Sequence, residues 1–287
     1  MKILYISNFD LPDFMNDMVF HGVRSLFGED VVDSREAWYM YDDFRNCWAD
    51  RIPSKGMEYG RGFTLYGRLP KLTVDRTDLE SKIKNHYFDK IIYGSIKRNQ
   101  DFLNIVKLHY KPVDVILIDG EDTFNLWIMP EGTYYKRELI EQNLQFGARP
   151  INFCIPKELI TSSVPTKTQD WGKVMPDDKS TYIFTEEKPY FEDYQHSYFG
   201  VTGKKGGWDC LRHYEILMNG CIPFFQDIEK CPSTTMTRFP KELVVDACNR
   251  VIQGQDLSFY EERVAQLLDW TRKYLTTEEV AKYILNT

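Results

Sequence analysis

The run from Gly203 to Asp227, G-K-K-G-G-W-D-C-L-R-H-Y-E-I-L-M-N-G-C-I-P-F-F-Q-D, leaves the chain few ways to fold. It reads as a basic, glycine-rich loop, then a helix, a turn at Asn219-Gly220, and a short apolar run suited to a buried strand. On a helix from Trp208 to Asn219, the residues Cys210, Leu211, Tyr214, Leu217, Met218 and Cys221 fall on one arc, a core face. The opposite arc carries Trp208, Arg212, Glu215 and Asn219. An arginine and a glutamate thus lie one turn apart, just beyond a loop whose backbone N–H groups can meet an anion. The pattern suits a nucleotide sugar, with phosphates at the helix start and a ribose further along. A polar helix face is usually only solvated. Trp208 argues for more, because it is costly to leave in water, and two lysines with two glycines match the composition of a phosphate cradle.

The chain has 287 residues, and domains usually run roughly 100–200 residues, so two domains are expected. Apolar residues make up 43% and aromatic residues 15%, enough for two cores. A net charge of -7 and a pI near 5.4 argue against a nonspecific nucleic-acid binder, though not against a local basic cleft. The six cysteines (Cys47, Cys154, Cys210, Cys221, Cys231 and Cys248) form no C-x-x-C pair. Neither a disulfide framework nor a metal site is expected, and a reducing compartment is the simplest reading. Ile3–Ile6 follows Met1-Lys2 directly and reads as a first strand rather than a signal sequence. No apolar run approaches the ~20 residues of a membrane span, so a soluble cytoplasmic protein without membrane association is expected.

The remaining elements follow from periodicity. Lys2–Ser7, a helix over Met15–Phe27 closed by Gly28, and Val31-Val32 form one βαβ unit, without the G-x-G-x-x-G of dinucleotide sites. Residues 36–75 scatter Trp38, Tyr39, Tyr41, Phe44, Trp48, Tyr59, Phe63 and Tyr66 without a period. They read as a layer covering the sheet, or else as an acceptor surface with stacking side chains. Helices are expected at Asp78–Tyr87 and Gln100–Tyr110, and strands at Lys90–Gly94, Asp114–Ile118 and Ile151–Ile155. The strand ending at Ile118 runs into Asp119-Gly120-Glu121-Asp122, placing carboxylates where open α/β sheets bind ligands. Thr161–Asp178 reads as a hinge, and Tyr182–Thr185 as the first strand of the second half. Leu243–Ala247 reads as a strand or a helix start. Two helices close the chain, Ser258–Tyr274 and Thr277–Leu285, the latter opened by a Thr-Thr-Glu-Glu cap.

The segment G-G-W-D-C-L-R-H-Y-E-I-L-M-N-G-C-I-P-F-F resembles the donor-binding segment of GT-B glycosyltransferases, including exostosin-like members. The opening I-S-N, followed by N-D-M-V-F-H-G-V-R, is similar to the first Rossmann unit of bacterial and phage members. The resemblance covers residues 203–241 well and 1–33 more loosely. It implies an α/β GT-B fold with two Rossmann-like domains facing a central cleft. An acceptor domain would span 1–157 and a nucleotide-sugar domain 158–270, with residues 271–287 packing back on the first. It also implies sugar transfer from a nucleotide sugar, UDP-sugar first, to a hydroxyl, with no bound cofactor and no metal. Carried over residue by residue, Glu215 would hold the ribose hydroxyls. Arg212 would face the diphosphate, with Lys205 and the backbone of Gly206 and Gly207 in support.

One departure concerns the acid that many retaining members carry eight residues before the ribose glutamate: here that position is Gly207. The stereochemical course is therefore open. An inverting enzyme needs a base, and the candidates are Asp122, Glu121, Asp17 and His21. The favoured acceptor is 5-hydroxymethylcytosine in double-stranded phage DNA, flipped from the helix, with Lys55, Arg61, Arg68, Lys71, Arg76, Lys97 and Arg98 lining the cleft. The alternatives are a carbohydrate acceptor and, in another class, a nucleotide-sugar-binding protein without catalysis.

Overall fold

The computed structural model describes residues 1–10, 12–46, 64–127, 132–252 and 257–286. Among them two all-parallel sheets form. The first has six strands in the order β2-β1-β3-β4-β5-β6: β1 Ile3–Ile6, β2 Val31–Asp33, β3 Lys90–Tyr93, β4 Val115–Asp119, β5 Thr133–Lys136 and β6 Arg149–Pro150. The chain leaves β1 outward to β2 and returns to the other side at β3. The switch point thus lies between β1 and β3, where such sheets open a crevice. Along β1, Ile3 and Tyr5 enter one core while Leu4 and Ile6 enter another; along β4, Ile116 and Ile118 alternate in the same way with Val115 and Leu117. Both faces are covered, which is why these strands read as unbroken apolar runs. Helix α1 (Phe14–Phe27) packs in the first core, and α2 (Leu79–Lys84) and α3 (Leu103–His109) in the second.

Helix α1 begins at Asp13, whose carboxylate accepts the Asn16 N–H at 3.4 Å, and ends at Gly28, with φ of 53°. Gly28 is the residue expected to close it, because a side chain is strained at positive φ. After the four-residue helix α4 (Glu141–Leu144) the chain reaches the second sheet, ordered β7-β8-β9: Gln169–Trp171, Ser197–Thr202 and Ile222–Phe225. Helix α5 (Glu187–His196) connects β7 to β8, and α6 (Leu211–Met218) connects β8 to β9. Then come α7 (Lys241–Ile252), α8 (Leu257–Tyr274) and α9 (Thr277–Leu285).

The sequence misplaces several strands. The 161–178 stretch read as a hinge contains β7, and the strand expected at Tyr182–Thr185 is an exposed loop, with Ile183 57% accessible. Strand β7 is polar but finds backbone partners on β8, Gln169 opposite Ser197 and Trp171 opposite Phe199. Apolar content without a neighbouring strand makes no sheet. Ile151–Ile155 is buried but irregular, and β5 and β8 went unread because each is short and mixed in character.

The end of the chain packs against its beginning. Gly22 of α1 touches the Thr277 carbonyl so closely that any Cβ there would overlap it. Ile155 N–H donates to the Leu275 carbonyl at 3.0 Å and Thr277 N–H to the Ile155 carbonyl at 2.9 Å. The expected cap is present: Thr276 Oγ1 accepts from Glu279 N at 3.3 Å. Among the described residues no helix is long and apolar enough to cross a membrane.

Candidate functional site

Helix α6 carries the candidate donor residues. Its core arc is largely as expected: Leu211, Tyr214, Leu217 and Met218 are buried. The polar arc is only partly a ligand face. Asn219 is inaccessible, donating to the Glu215 carbonyl at 2.8 Å and accepting from Gln195 at 2.9 Å. Trp208 is buried beside Phe225 and lies under the Lys204 ammonium, 5.1 Å from the ring centroid. The cost of wetting that indole is met inside the protein.

Arg212 and Glu215 remain neighbours but do not pair with each other. Arg212 Nη2 donates to the Tyr182 hydroxyl at 2.9 Å, and its guanidinium lies 5.1 Å from the centre of that ring. Lys205 Nζ reaches the same hydroxyl at 3.4 Å and also bonds the Pro176 carbonyl. Both cations thus converge on one tyrosine. Among the described residues no carboxylate pairs with Arg212, and its buried Nε lacks a hydrogen-bond partner. Such orphaned donors are rare, because each costs about 1–3 kcal/mol. The Glu215 carboxylate is buried and accepts two hydroxyls, Thr64 Oγ1 on Oε1 and Tyr190 on Oε2 at 2.6 Å. Burial raises its pKa, while those two hydroxyl donors favour its charged form.

Gly206 and Gly207 serve a purpose the sequence did not suggest. A Cβ on Gly206 would overlap Asp122, and one on Gly207 would overlap Glu138. The glycines admit side chains from the first half of the chain. The N–H groups of Trp208 and Asp209 go to Glu138, at 3.0 and 2.9 Å. A protein carboxylate thus takes the two N–H groups that follow the glycines, and these two are not open to phosphate.

The four candidate bases differ in exposure, Glu121 and Asp122 lying nearer the surface than Asp17 and His21. Asp122 is 60% accessible, lies against Gly206 and bonds Arg137. Glu121 turns to Arg98 at 2.8 Å. Asp17 is inaccessible, accepting from the Asp13 N–H at 3.0 Å, Asn16 at 3.0 Å and Tyr39 at 2.7 Å, and burial pushes its pKa well up. His21 is enclosed against α9, 2.9 Å from Thr277 Oγ1, and burial lowers its pKa to about 4. Asp17 and His21 thus face the protein interior.

Sequence reasoning missed a charged group at the end of β5. Arg137, Glu138 and Asp209 are 2%, 0% and 1% accessible and lie together between the two sheets. Arg137 holds the Gly120 carbonyl at 2.9 Å, Glu138 at 3.0 Å, the Asp209 carbonyl and Asp122. Asp209 accepts from Phe153 N at 2.8 Å and Tyr214 at 2.6 Å, and burial raises its pKa to about 6. The available signal was the Lys136-Arg137-Glu138 triplet after two tyrosines, three charges where a strand meets a loop.

Of the seven basic residues expected to line the cleft, the five that are described pair with carboxylates. Lys97 meets Asp119 at 3.1 Å, Arg98 meets Asp13 at 3.1 Å, Arg76 meets Asp33 at 2.7 Å, Lys71 meets Asp43 at 3.6 Å, and Arg68 meets Glu187. Lys55 and Arg61, with Cys47, Trp48, Tyr59 and Phe63, lie outside the described residues. Of the other aromatics, Tyr39, Tyr41, Phe44 and Tyr66 are buried and Trp38 is partly so, which makes this part of 36–75 a covering layer. No group of His, Cys, Asp or Glu that could hold a metal is found among the described residues.

No family description and no curated protein matches the chain. Among solved structures, it is similar to an alpha-glucosyltransferase in complex with UDP and a 13-mer DNA containing an HMU base. That likeness covers 100% of both chains at 11% sequence identity, with a TM-score of 0.49.

Proposed function

We propose that the chain is a glycosyltransferase that moves a sugar from a nucleoside-diphosphate sugar, UDP-sugar first, to a hydroxyl acceptor. The observation that carries this is Arg212: a largely enclosed guanidinium with no carboxylate partner among the described residues, an unbonded Nε, and the Glu215 carboxylate one turn away. A permanently charged planar fork that no described carboxylate pairs with suits a diphosphate, and a carboxylate accepting two hydroxyls has the chemistry of diol recognition. In transfer, the acceptor oxygen attacks the anomeric carbon and the bond to the diphosphate oxygen breaks. The diphosphate leaves with the electron pair, and Arg212 and Lys205 balance its growing charge without a metal. Asp122 is the base we assign to the acceptor proton, because of the candidates it abuts the donor loop. We assign no catalytic part to Asp17 or His21.

For the acceptor, 5-hydroxymethylcytosine in DNA remains the specific reading drawn from the sequence. A carbohydrate hydroxyl is the second, favoured by the pairing of Arg68, Lys71, Arg76, Lys97 and Arg98 with carboxylates, since DNA phosphates would have to displace those partners. The test is incubation with a panel of UDP-sugars and either hydroxymethylcytosine-containing DNA or oligosaccharides, followed by mass analysis of nucleosides and glycans. Glycosylated nucleoside supports the first acceptor and extended glycan the second. Absence of any thermal shift with UDP, GDP or their sugars would overturn the donor assignment itself.

A further inference from the structure

We infer that Arg137 and Glu138 are positioning residues that fix the candidate base and the donor helix at one working separation. This rests on the glycosyl-transfer reading for its catalytic consequence and on geometry for everything else. Glu138 lies two residues beyond β5 of the first sheet, and its two oxygens take the N–H groups of Trp208 and Asp209 from the second half. Arg137 beside it grips both sides at once. Its Nε and Nη2 hold Gly120 and Asp122 in the loop after β4, while Nη1 holds the Asp209 carbonyl and Glu138. The same two residues therefore hold the Asp122 loop and the turn that opens α6, and Arg212 lies only three residues beyond Asp209.

The arrangement is poorly explained as plain stabilisation. Enclosing a guanidinium among Glu138, Asp209 and Asp122 gains little over well-packed apolar side chains, because desolvation cancels most of the attraction. What such a cluster supplies is a fixed register. The two glycines point the same way, since Gly206 and Gly207 leave room for Asp122 and Glu138 and for no side chain of their own. All donor ligands we assign lie on α6 and the loop before it, whereas the base lies on the loop after β4. Loss of the clasp therefore leaves donor affinity and disturbs the distance across which the acceptor oxygen must travel. A displacement of about 1 Å at that distance costs on the order of 100-fold in rate.

The test compares Glu138→Gln, Arg137→Lys and the double variant with the unaltered protein. UDP affinity is measured by calorimetry, turnover with the UDP-sugar that the panel identifies, and the radius of gyration by small-angle scattering. Hydrogen exchange at the Trp208 and Asp209 amides is followed as well. The expected result is a UDP Kd within about threefold, a kcat lower by about 100-fold, faster exchange at both amides and a larger radius of gyration. The double variant should be no worse than the poorer single one, as befits a unit. Unchanged kcat, or kcat and UDP affinity falling together, overturns the positioning role. Should the unaltered protein bind no UDP and transfer no sugar, the function reading fails separately. Scattering and exchange then still decide the clasp, because unchanged values in the variants would remove it.

Discussion

Thr64, from the first half of the chain, donates its hydroxyl to the carboxylate of Glu215 on α6 in the second. A ribose bound by Glu215 must compete with that hydroxyl, whereas Tyr190, on the same side as Glu215 and packed 5.2 Å from the Tyr194 ring, stays in place. Thr64→Val keeps the shape and removes the donor. UDP should then bind more tightly, by about fivefold, which is ~1 kcal/mol. Calorimetry decides, and weaker binding would show that Thr64 supports the ribose site instead of competing for it.

Glu215→Ala removes the acceptor for a diol. Hydrogen bonds to a charged group are worth about 1.5–3 kcal/mol, so UDP affinity should fall roughly 10- to 100-fold. Affinity for 2′-deoxy-UDP should fall much less, since that ligand offers one hydroxyl fewer. Equal losses for both nucleotides would contradict the ribose contact.

Arg212→Lys keeps a charge but not the fork or the contact with the Tyr182 ring. UDP binding should weaken by about tenfold, and by more in Arg212→Ala, while uridine binding, which involves no phosphate, stays nearly constant. A parallel loss for uridine would place Arg212 away from the diphosphate.

Gly22→Ala drives a methyl group into the backbone carbonyl of Thr277, an atom that cannot rotate away. The expected cost is about 1–3 kcal/mol, seen as a Tm several degrees lower with the C-terminal helix released. Removing residues 277–287 should then lower stability little further in the variant. An unchanged Tm would mean that α9 is held elsewhere.

His213 is enclosed between Thr202, at 2.7 Å, and the Trp208 carbonyl, at 2.9 Å, and burial lowers its pKa to about 3. A carbonyl only accepts, so Nε2 carries the proton and Nδ1 receives the Thr202 hydroxyl. The unfolded imidazole titrates near 6.5. Below that pH the unfolded chain binds the extra proton, so stability is lost as pH falls from about 6.5 toward 3, at up to ~1.4 kcal/mol per pH unit. His213→Gln should flatten the Tm-against-pH curve in that window by about one proton's worth, measured by calorimetry from pH 7 to 4. A curve parallel to that of the unaltered protein would remove His213 from the linkage.

The strongly periodic parts of the fold were legible. Helix α1 with its Gly28 stop, the β1, β3 and β4 runs, the α6–β9 unit and the capped final helix follow from local spacing and end signals. Local pattern failed at β7, which is polar and is a strand only because β8 lies beside it, and at Tyr182–Thr185, which is apolar but lacks a partner. Sheet pairing is a property of two distant segments, and one segment read alone does not contain it.

The candidate site divides along the same line. From the residues alone came the placing of Arg212 and Glu215 one turn apart on α6, because helical periodicity is local. Only the tertiary structure decided what surrounds them. Thr64 comes from 151 positions away to meet Glu215, and Glu138 from 70 positions away to take the N–H groups before α6. The enclosure of Asp17 and His21 likewise depends on α9 and on Tyr39, outside their own helix. Charge, hydrogen-bonding capacity and spacing are written in the chain. Burial, which sets whether a carboxylate is a base, a clasp or part of a core, depends on what packs against it.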